Sequence, residues 1–369
     1  MYDVAIVGAG PAGSTLARML SPHLRVLLVD RRQLDVDFEP GTPAKTCGGL
    51  LAPAAQHELA RQGLGVPAHV VTGPQLFAVR TLDLRAGLER LYQRFYVNAD
   101  REAFDRWLVS LVPAHVERGF GWTLHSLEPD EVGCFLRFET AERGRAGVRA
   151  RLVVGTDGAT SSVRRLAFPD VSAPERYVAI QAEYGLAKAD PYYGAIFDAG
   201  MTDFYGWTIP KGDRLVVGAA FRAGDGYAAR FDDFVTRLHT SGFRFAEEIA
   251  RSSAAIARPN SLMQLCPGSG RVLLAGEAAG FISPSSAEGI SYALTSAAAL
   301  ANALEPGLAG ADVRYRAGTW PIALKLAGKA AKASAIYGVW TRRLIMRSGL
   351  GSIPSERPPM PVPATRLVR

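Results

Sequence analysis

The chain has 369 residues, 48% hydrophobic and 21% charged, a composition that excludes a disordered polymer and supplies length for two modest cores. Its formal net charge of +7 favours anionic ligands, but the basic residues are scattered and carry no nucleic-acid motif, so nucleic acid is not an expected partner. Cys47, Cys134 and Cys266 are far apart and form no CxxC or Cys/His pair, which supports neither a disulfide framework nor a metal site.

Asp3 to Val7 reads as a short apolar strand, Gly13 to Leu20 as a helix, and Arg25 to Val29 as a second strand ending at Asp30, a βαβ unit that opens a parallel sheet. A strand that starts this early predicts no signal peptide and a cytoplasmic protein. A Pro/Gly-rich passage from Pro40 through Gly49 is expected as a functional loop, followed by a helix over 53–63. Phe104, Trp107, Leu108 and Leu111 have helical spacing within Asp100 to Val112. Hairpin strands are expected from Gly121 to Glu139, and a buried strand from Ala150 to Val154. Further strands are predicted at Tyr177–Tyr184, Ala195–Phe197, Phe204–Ile209 and Arg214–Phe221, and a helix from Phe231 to Ile249. Arg271 to Ala275 reads as another buried strand, before an Ala-rich helix from Gly289 to Leu304. The apolar stretch Ala297 to Leu304 is far short of the roughly 20 residues that span a bilayer. Residues 311–347 are helical and basic, and the tail beyond Ser352 is Pro-rich.

Nucleotide-binding strands at both ends, with an antiparallel segment between them, predict an α/β fold with a discontinuous Rossmann-like domain. That domain comprises 1–55, 95–168 and 260–310. A mixed, mostly antiparallel substrate domain takes 56–94 and 169–259. A C-terminal helical segment (311–350) and a Pro-rich tail (351–369) complete the chain.

Gly8-Ala9-Gly10-Pro11-Ala12-Gly13 is G-x-G-x-x-G after a strand and opening a helix. The first glycine permits the tight turn, the second admits a pyrophosphate to the backbone, and the third lets helix and strand pack closely. The helix N-terminus supplies free N–H groups and a positive dipole. Asp30 lies where a carboxylate would accept hydrogen bonds from a ribose, or else is a solvated strand-end acid; Arg31 beside it is placed with the cofactor-binding set.

Two later segments point to FAD rather than NAD. Val153 to Arg164, with Gly155-Thr156-Asp157-Gly158, resembles the DG motif of flavoprotein monooxygenases. Leu273 to Gly280, with Gly276-Glu277 and continuing to Gly289-Ile290, resembles their GD motif. The resemblance implies the p-hydroxybenzoate hydroxylase-type FAD fold, with Asp157, Gly158, Gly276, Glu277, Gly289 and Ile290 near the cofactor. Glu277 replaces the family's aspartate, and its longer side chain can still accept from a ribityl hydroxyl. The helix that begins at Gly289 is implied to point at the flavin N1 and C2 carbonyl. Arg101-x-x-Phe104-Asp105 is similar to an element whose arginine reaches the FAD phosphates or ribityl chain; the plain alternative is that Arg101 pairs with Asp105 one turn on.

Lys45-Thr46-Cys47-Gly48-Gly49-Leu50 resembles the K-x-C-G-G element of the geranylgeranyl reductase family. Phe204-Tyr205-Gly206-Trp207-Thr208-Ile209-Pro210 resembles that family's aromatic-x-W-x-x-P motif, which lines the substrate cavity. The resemblance implies transfer of hydride from reduced FAD to a C=C bond of a hydrophobic small-molecule or lipid substrate of prenyl type. Tyr205 and Trp207, two apart on a strand, would face one side as a catalytic wall, or simply pack the sheet. Cys47 is a candidate proton donor or redox-sensitive thiol, or else a small packing residue. Gly48 would let the backbone pass close to the isoalloxazine, and Lys45 would meet a phosphate or remain solvated. No second G-x-G-x-x-G is present, so NAD(P)H and an electron-donor protein such as ferredoxin are both open as sources of electrons. The basic C-terminal helices could lie on an anionic membrane as a peripheral contact, or pack on the body. Alternatives on the same fold are a monooxygenase, and a halogenase, because Tyr205 to Pro210 matches W-x-W-x-I-P except at its first position. An FAD-bound carrier or assembly protein is the non-enzymatic alternative. The six histidines form no triad.

Overall fold

The computed structural model describes residues 1–35, 45–140, 144–186, 191–224 and 226–354. The first part of the expected 40–49 loop and most of the Pro-rich tail lie outside the described residues. Along the chain run β1 (Tyr2–Val7), α1 (Pro11–Met19), β2 (Val26–Asp30), β3 (Leu50–Leu51), α2 (Pro53–Arg61), β4 (Leu76–Asp83), β5 (Leu88–Asn98) and α3 (Arg101–Ser110). They continue as β6 (Glu117–Phe120), β7 (Trp122–Pro129), β8 (Cys134–Thr140), β9 (Gly144–Gly155), α4 (Ser162–Ala167), β10 (Glu175–Gly185), β11 (Tyr193–Phe197), β12 (Gly206–Lys211) and β13 (Arg214–Arg222). The last are α5 (Tyr227–Thr240), β14 (Glu248–Arg258), β15 (Gly268–Ser269), β16 (Val272–Leu274), α6 (Ile290–Leu304), α7 (Ala311–Gly318), α8 (Trp320–Tyr337) and α9 (Val339–Ser348).

The first sheet has the order β15-β16-β9-β1-β2-β6, with β7 and β8 attached through β9. Its centre is parallel: β1 lies between β2 and β9, and β9 also pairs with β16. Such strands are covered on both faces, which explains why β2 is buried throughout and β1 from Val4 to Val7. Because β2 and β9 flank β1 on opposite sides, a crevice opens beyond the carboxyl ends of β1 and β9, at Gly8 and Gly155.

The second sheet has the order β14-β10-β13-β12-β11-β4-β5-β3 and is antiparallel except where β11 meets β4. Alternation along its strands divides the side chains between two faces. One face packs Val217, Ala219 and Phe221 against Phe231, Phe234 and Leu238 of α5. The other gathers Tyr177, Phe204, Tyr205, Trp207 and Ile209 into an aromatic cluster, against which Leu50, Tyr96, Ala287, Ile336 and Tyr337 pack.

Several expectations are corrected. The helix expected from Phe231 to Ile249 stops at Thr240, where Gly242 takes a φ of +89°, and Glu248–Arg258 is instead an edge strand beside β10. Hydrogen bonding to β10 overrides the helical propensity of its alanines. β4 and β5, unassigned from sequence, form a long hairpin. Leu50–Leu51 and the end of β5, allotted from sequence to the nucleotide-binding part, pair with each other in the second sheet, since β3 can complete its backbone bonds there. The C-terminal helical stretch is three helices, separated at Thr319, just before Trp320-Pro321, and at Gly338. Arg342 of α9, one of the basic residues of that stretch, turns inward to Asp83, 2.9 Å away, and over the Phe197 ring. No helix among the described residues is long and apolar enough to cross a membrane.

Candidate active site

Three sequence motifs meet at the end of β1. Gly8 has a φ of +108°, and a Cβ there would lie 2.5 Å from the Thr156 carbonyl. A Cβ on Gly13 would collide with the Gly8 carbonyl oxygen, while Thr156 Oγ1 donates to the same oxygen at 2.6 Å. Gly276, with φ +60°, brings the GD segment to within 3.1 Å (from a built Cβ) of Ala12. The glycine turn is therefore wedged between both later motifs, and only glycine fits at those approaches.

The start of α1 is built for an anion. Pro11 occupies its first turn, no side chain caps it, and no acidic residue lies in that turn, so its leading N–H groups are free of side-chain acceptors. Gly10 faces open space, where the nearest atom a Cβ would meet is Lys45 Nζ at 3.8 Å. An ammonium thus stands over the bare helix end.

Asp30 lies at the end of β2, nearly buried. Its Oδ2 accepts from the Ala9 N–H at 2.7 Å and from Arg32, and its Oδ1 accepts from the Arg32 N–H and Nε, so the carboxylate braces the turn from within. Arg31 is exposed, whereas Arg32, missed in the sequence reading, crosses to Asp105 at 3.0 Å. Arg101 Nε donates to the same Asp105 at 2.8 Å, and Lys45 Nζ lies 3.9 Å from it. Asp105 is fully buried. Burial raises its proton affinity, but Arg101, Lys45 and Arg32 override this and hold it well below the usual carboxylate range. Three cations share two acids, Asp105 and, through Arg32, Asp30, which leaves one positive charge in excess beside the bare helix end. The pairing of Arg101 with Asp105 that the spacing allowed is present. The signal for Arg32 was its place two residues after Asp30.

The K-x-C-G-G loop packs beneath β12. A Cβ on Gly48 would come within 2.6 Å of Ile209 Cδ1. Gly49, φ +61°, passes so close to the Ala99 carbonyl that only hydrogen fits. Burial pushes the Cys47 thiol up, but the Arg101 guanidinium, the Gly49 N–H and Lys45 outweigh it and hold the thiol below its ordinary value. Lys211 was not singled out from sequence, although it follows Pro210 of the aromatic motif. Its Nζ donates to Asn98 Oδ1 at 2.8 Å and to the Ala99 carbonyl at 2.7 Å, and burial brings its ammonium down to about 8, against the opposing pull of Cys47.

The aromatic wall is tied to the loop before α6. Tyr193 donates to the Tyr205 hydroxyl at 3.1 Å, Tyr205 donates to the Ser286 carbonyl at 2.9 Å, and Tyr337 of α8 donates to the Ser285 carbonyl at 3.0 Å. Ala287, next in that loop, takes a left-handed φ of 51°, which strains a residue with a Cβ. Tyr205 and Trp207 lie 5.6 Å apart between ring centroids on the same sheet face. Trp207 fits because position 218 is glycine, and its buried Nε1 has no hydrogen-bond partner. At the entrance to α6, Gly289 is the N-cap and Ile290 the first helical residue.

The two acidic motif residues are partly committed. Asp157 accepts from Ser161 Oγ and from the N–H groups of Ser162 and Val163, so it braces the start of α4, while burial raises its proton affinity. Gly158 beside it has a φ of +79° and open space where a Cβ would be. Glu277 Oε1 accepts from the Ala257 N–H of β14 at 2.9 Å, and burial holds its carboxyl above the ordinary value.

These features fit FAD: a bare helix end with a lysine over it for the pyrophosphate, a surplus positive charge, and a Glu277 oxygen outside the Ala257 bond for a hydroxyl. The FAD binding domain family matches residues 1–46. Protein CbrA of Escherichia coli O6:H1 is 39% identical over 357 residues, covering 96% of this chain and 95% of that protein. Among solved structures, a geranylgeranyl bacteriochlorophyll reductase-like protein from Thermoplasma acidophilum superposes with a TM-score of 0.77 at 18% identity, covering 93% of this chain and 89% of that one. PqsL, a probable FAD-dependent monooxygenase from Pseudomonas aeruginosa, gives a TM-score of 0.68 at 20% identity, covering 94% and 99% of the two chains. At such identities the structural likeness establishes the fold. The chain therefore belongs to the Protein CbrA family and is an FAD-dependent flavoprotein of the oxidoreductase and monooxygenase fold.

Proposed function

We propose that this flavoprotein is a reductase that saturates a C=C bond of a hydrophobic, prenyl-like substrate. Bound and reduced, FAD supplies hydride at its N5. The chain's own residues hold the flexible substrate, keep water out and deliver a proton to the second carbon. Tyr205 and Trp207 act as a rigid wall, fixed by the Tyr193–Tyr205–Ser286 hydrogen bonds, so that little ordering remains to be done on binding.

The observation that carries this reading is the contact of Gly48 with Ile209. It joins the two segments whose residues resemble the geranylgeranyl reductase family, and the reductase-like neighbour from Thermoplasma acidophilum adds support. The Cys47 thiol is held below its ordinary value, so near neutral pH it keeps its proton less firmly than a free thiol does. Lys211, brought down to about 8, retains its proton there and is the better donor.

Anaerobic incubation of the dithionite-reduced holoprotein with prenyl alcohols, prenyl diphosphates and prenylated quinones, followed by mass spectrometry, tests the reading. Gain of H2 is the expected result. Gain of an oxygen atom on admitting air, or of a halogen with halide and air, would instead assign the monooxygenase or halogenase reaction. No product with any of these substrates under either condition would count against the reductase reading.

A further inference from the structure

β5 and α8 bring three cations together beside the aromatic cluster. Arg94 of β5 stacks over Tyr96, with its guanidinium carbon 5.5 Å from the ring centroid, and its Nε is buried without a hydrogen-bond partner. Tyr96 packs edge-on against Tyr193, 5.5 Å away, whose hydroxyl meets Tyr205. On α8, Lys329, Lys332, Ala333 and Ile336 fall at i, i+3, i+4 and i+7, a single stripe of the helix. The Ile336 end of this stripe packs on the aromatic cluster, so the lysine end extends the same wall outward.

These cations have little to neutralise them. Lys329 and Lys332 are held below the ordinary ammonium value, first by burial and then by Arg94, whose charge faces both. Glu288 is the carboxylate that faces Lys329, and its two oxygens already accept from the Ser291 N–H and hydroxyl. Among the described residues, none of the three cations forms an ion pair. Arg94 and Lys329 are half-buried and Lys332 is exposed, and like charges gathered at such an edge are unfavourable unless an anion shares the site.

We propose that Arg94, Lys329 and Lys332 receive the anionic head, a carboxylate or phosphate, of an amphiphilic substrate whose apolar part lies along Tyr96, Tyr193 and Tyr205. The inference rests on the reading of the aromatic cluster as the substrate wall. The planar guanidinium suits an oxyanion, and the two ammonium groups add point charges.

Equilibrium binding to the FAD-loaded full chain tests it, with decyl phosphate, decanoate, decanol and inorganic phosphate as probes, each decyl compound kept below its micelle concentration. At least one of the two amphiphilic anions should bind about ten-fold or more tighter than decanol, the tighter one naming the head group. Arg94→Met and Lys329→Met should each bring that affinity close to the decanol value, with decanol binding and flavin content unchanged. Should R94M lose flavin, K329M and K332M on the helix surface carry the test. Equal binding of decanol and both anions, or a preference that survives in K329M and K332M, would overturn the site. Inorganic phosphate binding as tightly as decyl phosphate would also overturn it, because the apolar chain would then contribute nothing. If no alkene is reduced while the anion preference stands, the reductase reading fails alone. If reduction proceeds without that preference, only the head-group site fails.

Discussion

Gly48 stands directly against Ile209: a Cβ there would lie 2.6 Å from Ile209 Cδ1, so the loop or the end of the isoleucine side chain must shift to admit a methyl group. Overpacking of this kind costs about 1–3 kcal/mol. Gly48→Ala should therefore displace the Cys47 loop and lower turnover about ten-fold or more, with the circular dichroism spectrum unchanged. The double variant with Ile209→Ala should recover much of the loss. Steady-state kinetics on the three proteins decides it, and an unaltered G48A enzyme would remove the contact from the account.

Cys47 should react as a thiolate at lower pH than free cysteine, whose ordinary value is about 8.5. The rate of iodoacetamide alkylation against pH, measured on apoprotein with Cys134 and Cys266 replaced by alanine, gives its midpoint. Arg101→Met removes the largest charge that favours the thiolate and should move the midpoint up. An unshifted midpoint would show that Arg101 does not act on the sulfur.

Lys211 carries a linkage with a definite sign. Its ammonium falls from 10.5 to about 8 in the folded chain, so between these values the unfolded chain binds more protons. Stability must then rise with pH across this interval, as the folded state escapes the cost of a buried charge. The full effect is at most about 3 kcal/mol, from the size of the shift. Urea unfolding of wild type and Lys211→Met at several pH values should show the wild type gaining on the variant from pH about 8 upward. Parallel curves would contradict a lowered Lys211.

Arg342 and Asp83 are both buried and lie 2.9 Å apart, although 259 positions separate them in sequence. Arg342→Met would leave the Asp83 carboxylate only the Ala86 N–H at 3.0 Å and Arg343 at 3.9 Å, so the loss should fall at or below the about 3–5 kcal/mol of a buried pair that loses its sole partner. A clear fall in the urea midpoint is expected, with a smaller fall for D83N/R342M together. A change of under about 1 kcal/mol in the single variant would mean that Arg343 or water takes the place of Arg342 at Asp83.

Much of the nucleotide-binding sheet was legible because its strands are short, continuous apolar runs next to glycine turns, as at Asp3–Val7 and Arg271–Ala275. The edge strand Glu248–Arg258 was not: its first two residues were given to the preceding helix, the alanines and serines after them carry no strand pattern, and only hydrogen bonding to β10 makes them a strand. The hairpin of β4 and β5 was passed over, and with it Arg94 and Tyr96. Arg101 was found, but Arg32 was overlooked in favour of its neighbour Arg31, because nothing local tells which of two adjacent arginines turns inward.

By itself, the order of residues determined the glycine turn at Gly8, Gly10 and Gly13, the DG and GD segments, and hence the dinucleotide cradle. Those features depend on what a backbone can do within a few residues, and glycine records that locally. Only the tertiary structure decided that Arg32, Lys45 and Arg101 share Asp105, that Lys211 lies under the Cys47 loop, and that Lys329 faces Arg94. Each of these depends on where sheets and helices from remote parts of the chain come to rest, which is set by burial of whole faces rather than by any short pattern.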